Sequence, residues 1–201
     1  MIYLIRHGQT EMNRVGRFQG RLDSPLTPLG EAQARRVGAR LRALVAEHGG
    51  DWAIEASPLG RTRRTAALIA ESVGISVRGH DERLTEVDFG SWEGLTRDEI
   101  VALRPDLFES KAFFLLNPDG EDYGSLSERV RSWMEEADAA AENRIAVTHA
   151  GVGRMMRGLY LGLAQAEMRA LDTPQDAVFR FAGGRIERLE CPPLPSEGPG
   201  V

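Results

Sequence analysis

Apolar and polar residues alternate in blocks along the chain, and this pattern predicts its first strands and helices. The opening run MIYLI stops at Arg6-His7-Gly8, which indicates a buried strand that leads into a polar loop. Thr27-Pro28 supplies a helix N-cap followed by proline, and apolar residues at helical spacing continue from there to His48. WAIEA then predicts a second strand, and the segment from about Gly60 to Ser72 predicts a second helix.

The rest of the chain repeats this alternation around one irregular stretch. The later elements expected from the spacing are a strand in ISVRGH, helices over 96–103, 125–142 and 152–163, and strands near 145–147, 177–181 and 185–189. Residues 88–125 predict an insertion over a site, because an apolar run at 112–116 and a turn at 117–120 interrupt any regular spacing. The strand near 145–147 runs into Thr148-His149-Ala150-Gly151. Two predicted strands therefore end in a histidine beside a glycine-containing turn.

Alternating strands and helices favour an α/β protein: a three-layer α/β/α fold with a mostly parallel central sheet and a small helical and irregular cap insertion. We expect one domain over residues 1–190, with the cap insertion at about 88–125 and a mobile tail over 191–201. Ligands of such sheets gather beyond the carboxyl ends of the strands. His7, Arg61 and His149 all lie at or just after such ends.

Composition and charge narrow the classes of function. The 201 residues carry a formal net charge of -5, so no general basic field is present to hold a nucleic-acid backbone. Cys191 is the only cysteine, which excludes an internal disulfide and is typical of a reducing cytoplasm. The apolar opening run is too short for a signal peptide or a membrane span. We therefore expect a cytoplasmic protein that binds neither nucleic acid nor membrane; its oligomeric state stays open, a homodimer included.

Two histidines, two arginines and a carboxylate at the strand ends would suit phosphoryl transfer. A neutral imidazole nitrogen can attack phosphorus and divide one difficult displacement into two easier ones. Arg6 and Arg61 would hold the equatorial oxygens of the transferring group, and Arg61 also lies in the first turn of its predicted helix, where unpaired N–H groups favour an anion. A second, protonated histidine could complete this clamp. No carboxylate cluster has metal-binding spacing, so we expect neither a metal nor another cofactor.

Each of these residues has a simpler interpretation when it is taken alone. A single histidine at a strand end is more often structural, and an arginine within RTRRT is more often part of a solvated helix face than a ligand. The combination of two strand-terminal histidines with Arg61 between them is what favours the joint hypothesis. His48 and His80 have no such setting, and we expect them to be exposed.

The segments LIRHGQTEMN, SPLGRTRRTA and VTHAG, in this order, make the chain resemble the histidine phosphatase superfamily, in the branch typified by cofactor-dependent phosphoglycerate mutase. The resemblance extends over most of residues 1–165. It implies that His7 becomes phosphorylated and that Arg6, Arg61 and His149 form the phosphate pocket. The residues that it implies on the substrate side are Asn13, Gln19, Gly20, Ala150 and Gly151.

The resemblance also implies a proton donor after the third strand, where Leu84-Thr85-Glu86 matches the family motif. Glu86 would protonate the departing oxygen and then deprotonate the water that cleaves phosphohistidine. In other branches of the family, an aspartate directly follows the second histidine. Ala150 occupies that position here, which favours Glu86 as the donor.

The motifs fit three functions: a phosphomonoesterase, a mutase that returns the phosphoryl group to another hydroxyl, and a non-catalytic protein that binds a phosphorylated ligand. Residues 88–125 contain nine acidic residues and three basic ones, a charge that disfavours the doubly phosphorylated primer of a mutase. The insertion is also short and lacks the adjacent arginine pair of the family's mutases. DFGSWEG instead resembles short bacterial phosphatases such as α-ribazole phosphatase and broad-specificity enzymes. We therefore favour a metal-independent phosphomonoesterase that acts on a small phosphorylated metabolite.

One position in the insertion departs from those phosphatases. They usually carry Gly-Glu-Ser in the cap, whereas this chain reads Gly120-Glu121-Asp122. A carboxylate in place of a hydroxyl could alter which leaving group is accepted.

Overall fold

A six-stranded sheet forms the centre of the protein in the computed structural model, which describes residues 1–105 and 119–191. Its strands are β1 (Ile2–Arg6), β2 (Trp52–Ala56), β3 (Val77–His80), β4 (Asn143–Thr148), β5 (Ala177–Ala182) and β6 (Arg185–Glu190). Their order across the sheet is β3-β2-β4-β1-β5-β6. The first four strands of this order are parallel, and β5 and β6 extend the sheet antiparallel. The prediction of a mostly parallel α/β sheet is therefore confirmed.

Helices cover both faces of this sheet. They are α1 (Glu11–Arg14), α2 (Pro28–His48), α3 (Gly60–Val73), α4 (Arg97–Leu103), α5 (Tyr123–Ala139), α6 (Ala150–Leu161) and α7 (Gln165–Ala170). One core packs α2 and α3 against strand side chains such as Tyr3 and Ile5, and the other packs α5 and α6 against Ile2 and Leu4. Adjacent residues of β1 thus point into opposite cores, which is what a buried strand in a three-layer fold requires.

Several predicted boundaries agree with the structure, and the differences have local causes. Thr27 caps α2 by accepting from the Gly30 N–H at 3.0 Å, as the Thr-Pro pair predicts. The helix predicted over 152–163 instead begins at Ala150, directly after His149, and ends at Leu161 because Gly162 adopts a left-handed conformation with φ of 65°. Helices α1 and α7 are too short to show a period and were not predicted.

Parts of the predicted insertion and tail lie outside the described residues. These are the apolar run 112–116, the first half of the turn at 117–120 and the tail from residue 192 onward. Within residues 1–105 and 119–191, no helix combines the length and the apolar character that crossing a membrane requires.

Candidate active site

The carboxyl ends of β1 and β4 bring two histidines side by side. Arg6 and Thr148 are partners in the parallel register of these strands, and the His7 N–H donates to the Thr148 carbonyl at 3.0 Å. The rings of His7 and His149 consequently lie with their centroids 5.2 Å apart. The polar residues that follow each buried strand thus meet at one edge of the sheet.

His7 is buried and is held in one tautomer by its own loop. Its Nδ1 lies 2.8 Å from the carbonyl oxygen of Gly8, and because a carbonyl can only accept, Nδ1 carries the hydrogen. Burial, followed by the charges of Arg6 and Arg61, holds the pKa of His7 well below its usual 6.5. The ring is therefore neutral at physiological pH, with the lone pair on Nε2.

Gly8 explains why the strand ends in a histidine followed by glycine. A Cβ at this position would lie 2.2 Å from the carbonyl oxygen of Gly30 in α2, so only glycine allows the two backbones to approach this closely. The Gly8 N–H also donates to the Thr65 hydroxyl of α3 at 3.2 Å. The loop that carries His7 is therefore packed on two helices.

Arg61 joins the second histidine to the loop that follows α1. Its guanidinium is almost fully buried and donates to the carbonyls of Gly20 at 2.6 Å and Leu22 at 2.7 Å. Its Nε donates to Nδ1 of His149 at 3.3 Å, and an ion pair at 3.3 Å links it to Asp23. The side chain lies in the first turn of α3, as predicted, and burial lowers its pKa.

His149 is oriented from both of its nitrogens. Because Nδ1 accepts from Arg61, the hydrogen lies on Nε2, which donates to the Ser57 hydroxyl at 2.8 Å. Burial and then the Arg61 charge hold its pKa well below 6.5. The sequence left open that a protonated second histidine completes the clamp; here the ring of His149 is neutral, since an imidazolium could not accept from Arg61.

Three further residues predicted for the site line one pocket with His7. Arg6 donates through Nη1 to the Thr173 carbonyl at 2.6 Å, and burial lowers its pKa to about 10. Asn13 is oriented by Gln175, whose Nε2 donates to its Oδ1 at 3.0 Å. The Oε1 of Gln19 and the Nε of Arg6 are buried and have no hydrogen-bond partner among the described residues. Both atoms would suit a polar ligand.

Glu86 lies against the N-terminus of α6. Its carboxylate accepts from the backbone N–H groups of Gly151 at 3.1 Å and Val152 at 3.3 Å, and also from Val87 at 3.0 Å. The N–H groups of Gly151 and Val152 belong to the first turn of α6 and have no partner within the helix, so they are free to orient this carboxylate. The structure therefore brings the predicted proton donor to the same pocket as His7.

The pocket has a volume of about 250 Å³ and a strongly basic lining. The charged residues among its described lining are Arg6, Arg17, Arg61, Arg154 and Glu86. Phe18 and Phe89, in an edge-to-face contact at 5.4 Å, supply an apolar side. Gly20 and Ala150 also line it, whereas His149 borders a small neighbouring cavity. The arrangement suits a phosphate ester with an anionic and a partly apolar end.

Sequence reasoning missed Arg17, Phe89 and Arg154 as lining residues. Arg154 follows Ala150 by one helical turn, so spacing alone would have placed both on the same face of α6. Arg17 and Phe89 reach the pocket through loops, and no periodic signal marks them.

None of the acidic residues that the structure describes in the insertion lines this pocket. Those with contacts in the structure are Asp88, Glu93, Glu99, Asp119, Glu121 and Asp122. Each accepts hydrogen bonds from backbone, hydroxyl or arginine groups of nearby residues; Glu93, for example, accepts from the Arg21 backbone N–H at 2.7 Å. These six carboxylates are therefore held in local hydrogen bonds and lie outside the pocket lining.

Asp122 also has a structural explanation. It is the N-cap of α5, where its carboxylate accepts from the Ser125 N–H at 3.0 Å, and this hydrogen bond lowers its pKa. Serine and aspartate are comparable N-caps, so the replacement preserves the cap. It does not place a carboxylate in the pocket lining.

Comparison with known proteins identifies the class that this fold and site define. The sequence profile of the histidine phosphatase superfamily (branch 1) matches residues 2–187, so the chain belongs to this superfamily. The family predicted from the three motifs is therefore confirmed.

Two relatives and one solved structure illustrate the similarity. A Klebsiella pneumoniae (strain 342) protein, named probable phosphoglycerate mutase GpmB, is 44% identical over 195 residues, which cover 94% of this chain and 84% of that protein. A Salmonella arizonae protein of the same name is 43% identical over 136 residues, 65% of this chain but only 60% of that protein. A mycobacterial glucosyl-3-phosphoglycerate phosphatase, solved with VO3, matches with a TM-score of 0.76 and 27% identity over 94% of this chain and 96% of that chain.

Proposed function

We propose that this protein is a metal-independent phosphomonoesterase that acts on a small phosphorylated metabolite through a phosphohistidine at His7. The observation that carries the proposal is the state of His7: a buried, neutral ring whose Nδ1–H is fixed on the Gly8 carbonyl, which leaves Nε2 as the nucleophile. The basic pocket around it would hold the phosphate dianion of the substrate.

In the first step, Nε2 of His7 attacks phosphorus, a P–N bond forms, and the P–O bond to the leaving group breaks. Arg6 and Arg61 stabilise the charge on the equatorial oxygens, and Glu86 delivers a proton to the departing alkoxide. In the second step, Glu86 accepts a proton from the attacking water as the P–N bond breaks and inorganic phosphate leaves. Asn13, Gln19, Gly20, Ala150 and Gly151 would border the substrate during both steps.

Phosphoglycerate mutase activity is the second candidate. The names of the relatives favour it, and the basic pocket lining would accommodate a bisphosphate primer. We favour hydrolysis because the insertion is short and lacks an adjacent arginine pair, and because the solved mycobacterial structure that covers nearly the whole chain is a phosphatase.

The test is phosphate release from a panel of aryl and alkyl phosphates in the presence of a chelator, run beside the interconversion of 3-phosphoglycerate and 2-phosphoglycerate primed with the bisphosphate. Chelator-resistant release that His7→Ala abolishes is the expected result. Isomerisation faster than release would establish a mutase instead. No turnover in either assay, with phosphate still bound, would favour a non-catalytic binding protein.

A further inference from the structure

A partly buried ion pair between Arg129 and Glu121 lies beside Glu86, where the two ends of the insertion come together. Arg129 of α5 binds Glu121 in a bidentate manner, with Nε 2.5 Å from Oε1 and Nη2 2.7 Å from Oε2. The two side chains are 16% and 9% exposed, so solvent screens this pair far less than a surface salt bridge. Glu121 is held in turn through its N–H, which donates to the Asp88 carbonyl at 2.9 Å.

The remaining N–H groups of Arg129 are directed at the segment that carries Glu86. Nη1 donates to the Arg83 carbonyl at 2.7 Å, and Nη2 makes a longer contact of 3.5 Å with the Glu86 carbonyl. From the other side, the Thr148 hydroxyl of β4 donates to the Leu84 carbonyl at 2.7 Å. The backbone of residues 83–86 is therefore fixed between α5 and the central sheet.

We propose that Arg129, oriented by Glu121, is the positioning residue that holds Glu86 at the distance its proton transfer requires. The inference rests on the role of Glu86 in the proposed function. A planar guanidinium can grip a carboxylate with two N–H groups and a carbonyl with a third, which a lysine ammonium cannot reproduce with the same geometry. Arg129 is absent from the described pocket lining, so it acts through Glu86 rather than on the substrate.

The charge of Arg129 offers a competing explanation, because it also contributes to the lowered pKa of His149. Replacing Arg129 by lysine separates the two effects, since the charge stays and the fork is lost. Glu121→Gln is a milder second variant, which keeps a side chain of the same size while weakening the grip on Arg129.

The experiment measures kcat/KM for an aryl phosphate with a good leaving group and for an alkyl phosphate, in Arg129→Lys, Arg129→Met and Glu121→Gln. An alkoxide needs a proton as it leaves and an activated phenolate does not. Displacement of Glu86 should therefore lower kcat/KM for the alkyl phosphate and leave that for the aryl phosphate nearly unchanged. We expect both Arg129 variants to lose about 10²-fold on the alkyl phosphate, the loss that follows a misplacement of about 1 Å. On the aryl phosphate they should lose less than about 3-fold. Glu121→Gln should show the same selectivity with a smaller loss.

Arg35→Lys provides the matched control, because Arg35 pairs with Glu71 at 3.2 Å between α2 and α3, away from the pocket lining. It should change neither rate. Equal losses on both substrates in the Arg129 variants, in step with a lower melting temperature, would overturn the proposal in favour of a purely structural pair. Full activity of Arg129→Lys would also overturn the proposal, because it would show that only the positive charge at this position matters.

Glu86→Gln, measured in parallel, separates this inference from the proposed function. If Glu86→Gln shows no selective loss on the alkyl phosphate, the acid role of Glu86 fails and the inference fails with it. If Glu86→Gln is selective and the Arg129 variants are not, only the positioning role is wrong.

Discussion

At the scale of single residues, the proposed chemistry depends on which ring nitrogen of each histidine has no hydrogen-bond partner. Nδ1 of His7 donates to the Gly8 carbonyl. Both nitrogens of His149 have partners, because Nδ1 accepts from Arg61 and Nε2 donates to Ser57. Only His7 therefore has a ring nitrogen without a partner among these hydrogen bonds. Burial keeps both rings neutral, so the free nitrogen of His7 carries a lone pair that faces the pocket.

The first prediction concerns the pH dependence of the reaction. Because the pKa of His7 lies well below 6.5, this proposed nucleophile stays neutral as the pH falls through that value. The profile of kcat/KM should show no acid limb near 6.5 that is common to all substrates; any acid limb should move with the second ionisation of the phosphate ester, which lies near about 6. Profiles for several aryl phosphates of different acidity provide the check. A fixed limb at 6.5 would mean that His7 titrates normally.

The second prediction concerns Glu86. Glu86→Gln keeps an acceptor for the N–H groups of Gly151 and Val152 but removes the proton. The value of kcat/KM should fall by about 10²–10⁴-fold on alkyl phosphates, the usual contribution of a general acid, and much less on activated aryl phosphates. A steady-state comparison of both ester types measures the difference. Equal losses on the two would contradict the role of Glu86 as the acid.

At the scale of elements, local sequence signals predicted the main strands and helices, whereas contacts between distant segments determined features that the sequence did not show. The Thr27-Pro28 pair and the apolar run of β1 carry their signals within a few residues, so both elements are where the pattern predicts them. The family motifs likewise marked Arg6, His7, Arg61, Glu86 and His149, which the structure brings together around the ends of β1, β2 and β4. Agreement of local signals with the fold is expected of a natural sequence.

Contacts between distant segments left no such signal. Arg129 and Glu121 are paired by the packing of α5 against residues 83–86, and Phe89 lines the pocket because a loop turns it inward. The acidic count of the insertion has the same limit: a formal charge does not tell which carboxylates accept hydrogen bonds from backbone N–H groups. The sequence gives the type of each residue but not the direction of its side chain, and these contacts depend on that direction.

The third prediction belongs to this scale and concerns the cap of α5. Asp122→Ser should leave both the melting temperature and the preference among leaving groups unchanged, because serine accepts the same Ser125 N–H. Asp122→Ala should lower the melting temperature by about 2–4 °C, the usual effect of a lost cap in a domain of this size, without changing the preference. Thermal unfolding and the same ester panel give the answer. A changed preference in Asp122→Ser would place this residue near the substrate after all.

At the scale of the whole molecule, burying the polar groups of the site costs folding free energy, which the apolar cores of the fold offset. Two neutral histidines and Arg61 are buried at one edge of the sheet beside the partly buried Arg6, where burial disfavours every additional positive charge. Two separate apolar cores on either side of the sheet hold these groups in place. The stability of the protein should therefore depend on pH in the range where histidines titrate.

The fourth prediction states the sign of that dependence. Below about 6.5 the unfolded chain binds a proton at each of His7 and His149 while the folded chain does not, so stability is lost as the pH falls. The free energy of unfolding should decrease with a slope that approaches about 1.4 kcal/mol per pH unit for each histidine. Denaturant titrations between pH 7.5 and about 5 stay above the range in which most carboxylates titrate.

Two variants make this result specific. His7→Asn should reduce the slope, whereas His80→Gln should leave it unchanged because His80 is exposed, as predicted. Stability that stays constant or rises as the pH falls from 7.5 to 5 would show that the two rings are not neutral in the folded protein.

The most direct test of the account is to look for the phosphoryl group on His7 itself. Turnover of an aryl phosphate would be quenched under alkaline conditions, which preserve phosphohistidine, and the digested protein analysed by mass spectrometry. We expect a phosphoryl group on the peptide that contains His7, at higher occupancy in Glu86→Gln, and none in His7→Asn, which should also be inactive. Turnover that persists in His7→Asn, or a phosphoryl group on another residue, would contradict the central role of this histidine.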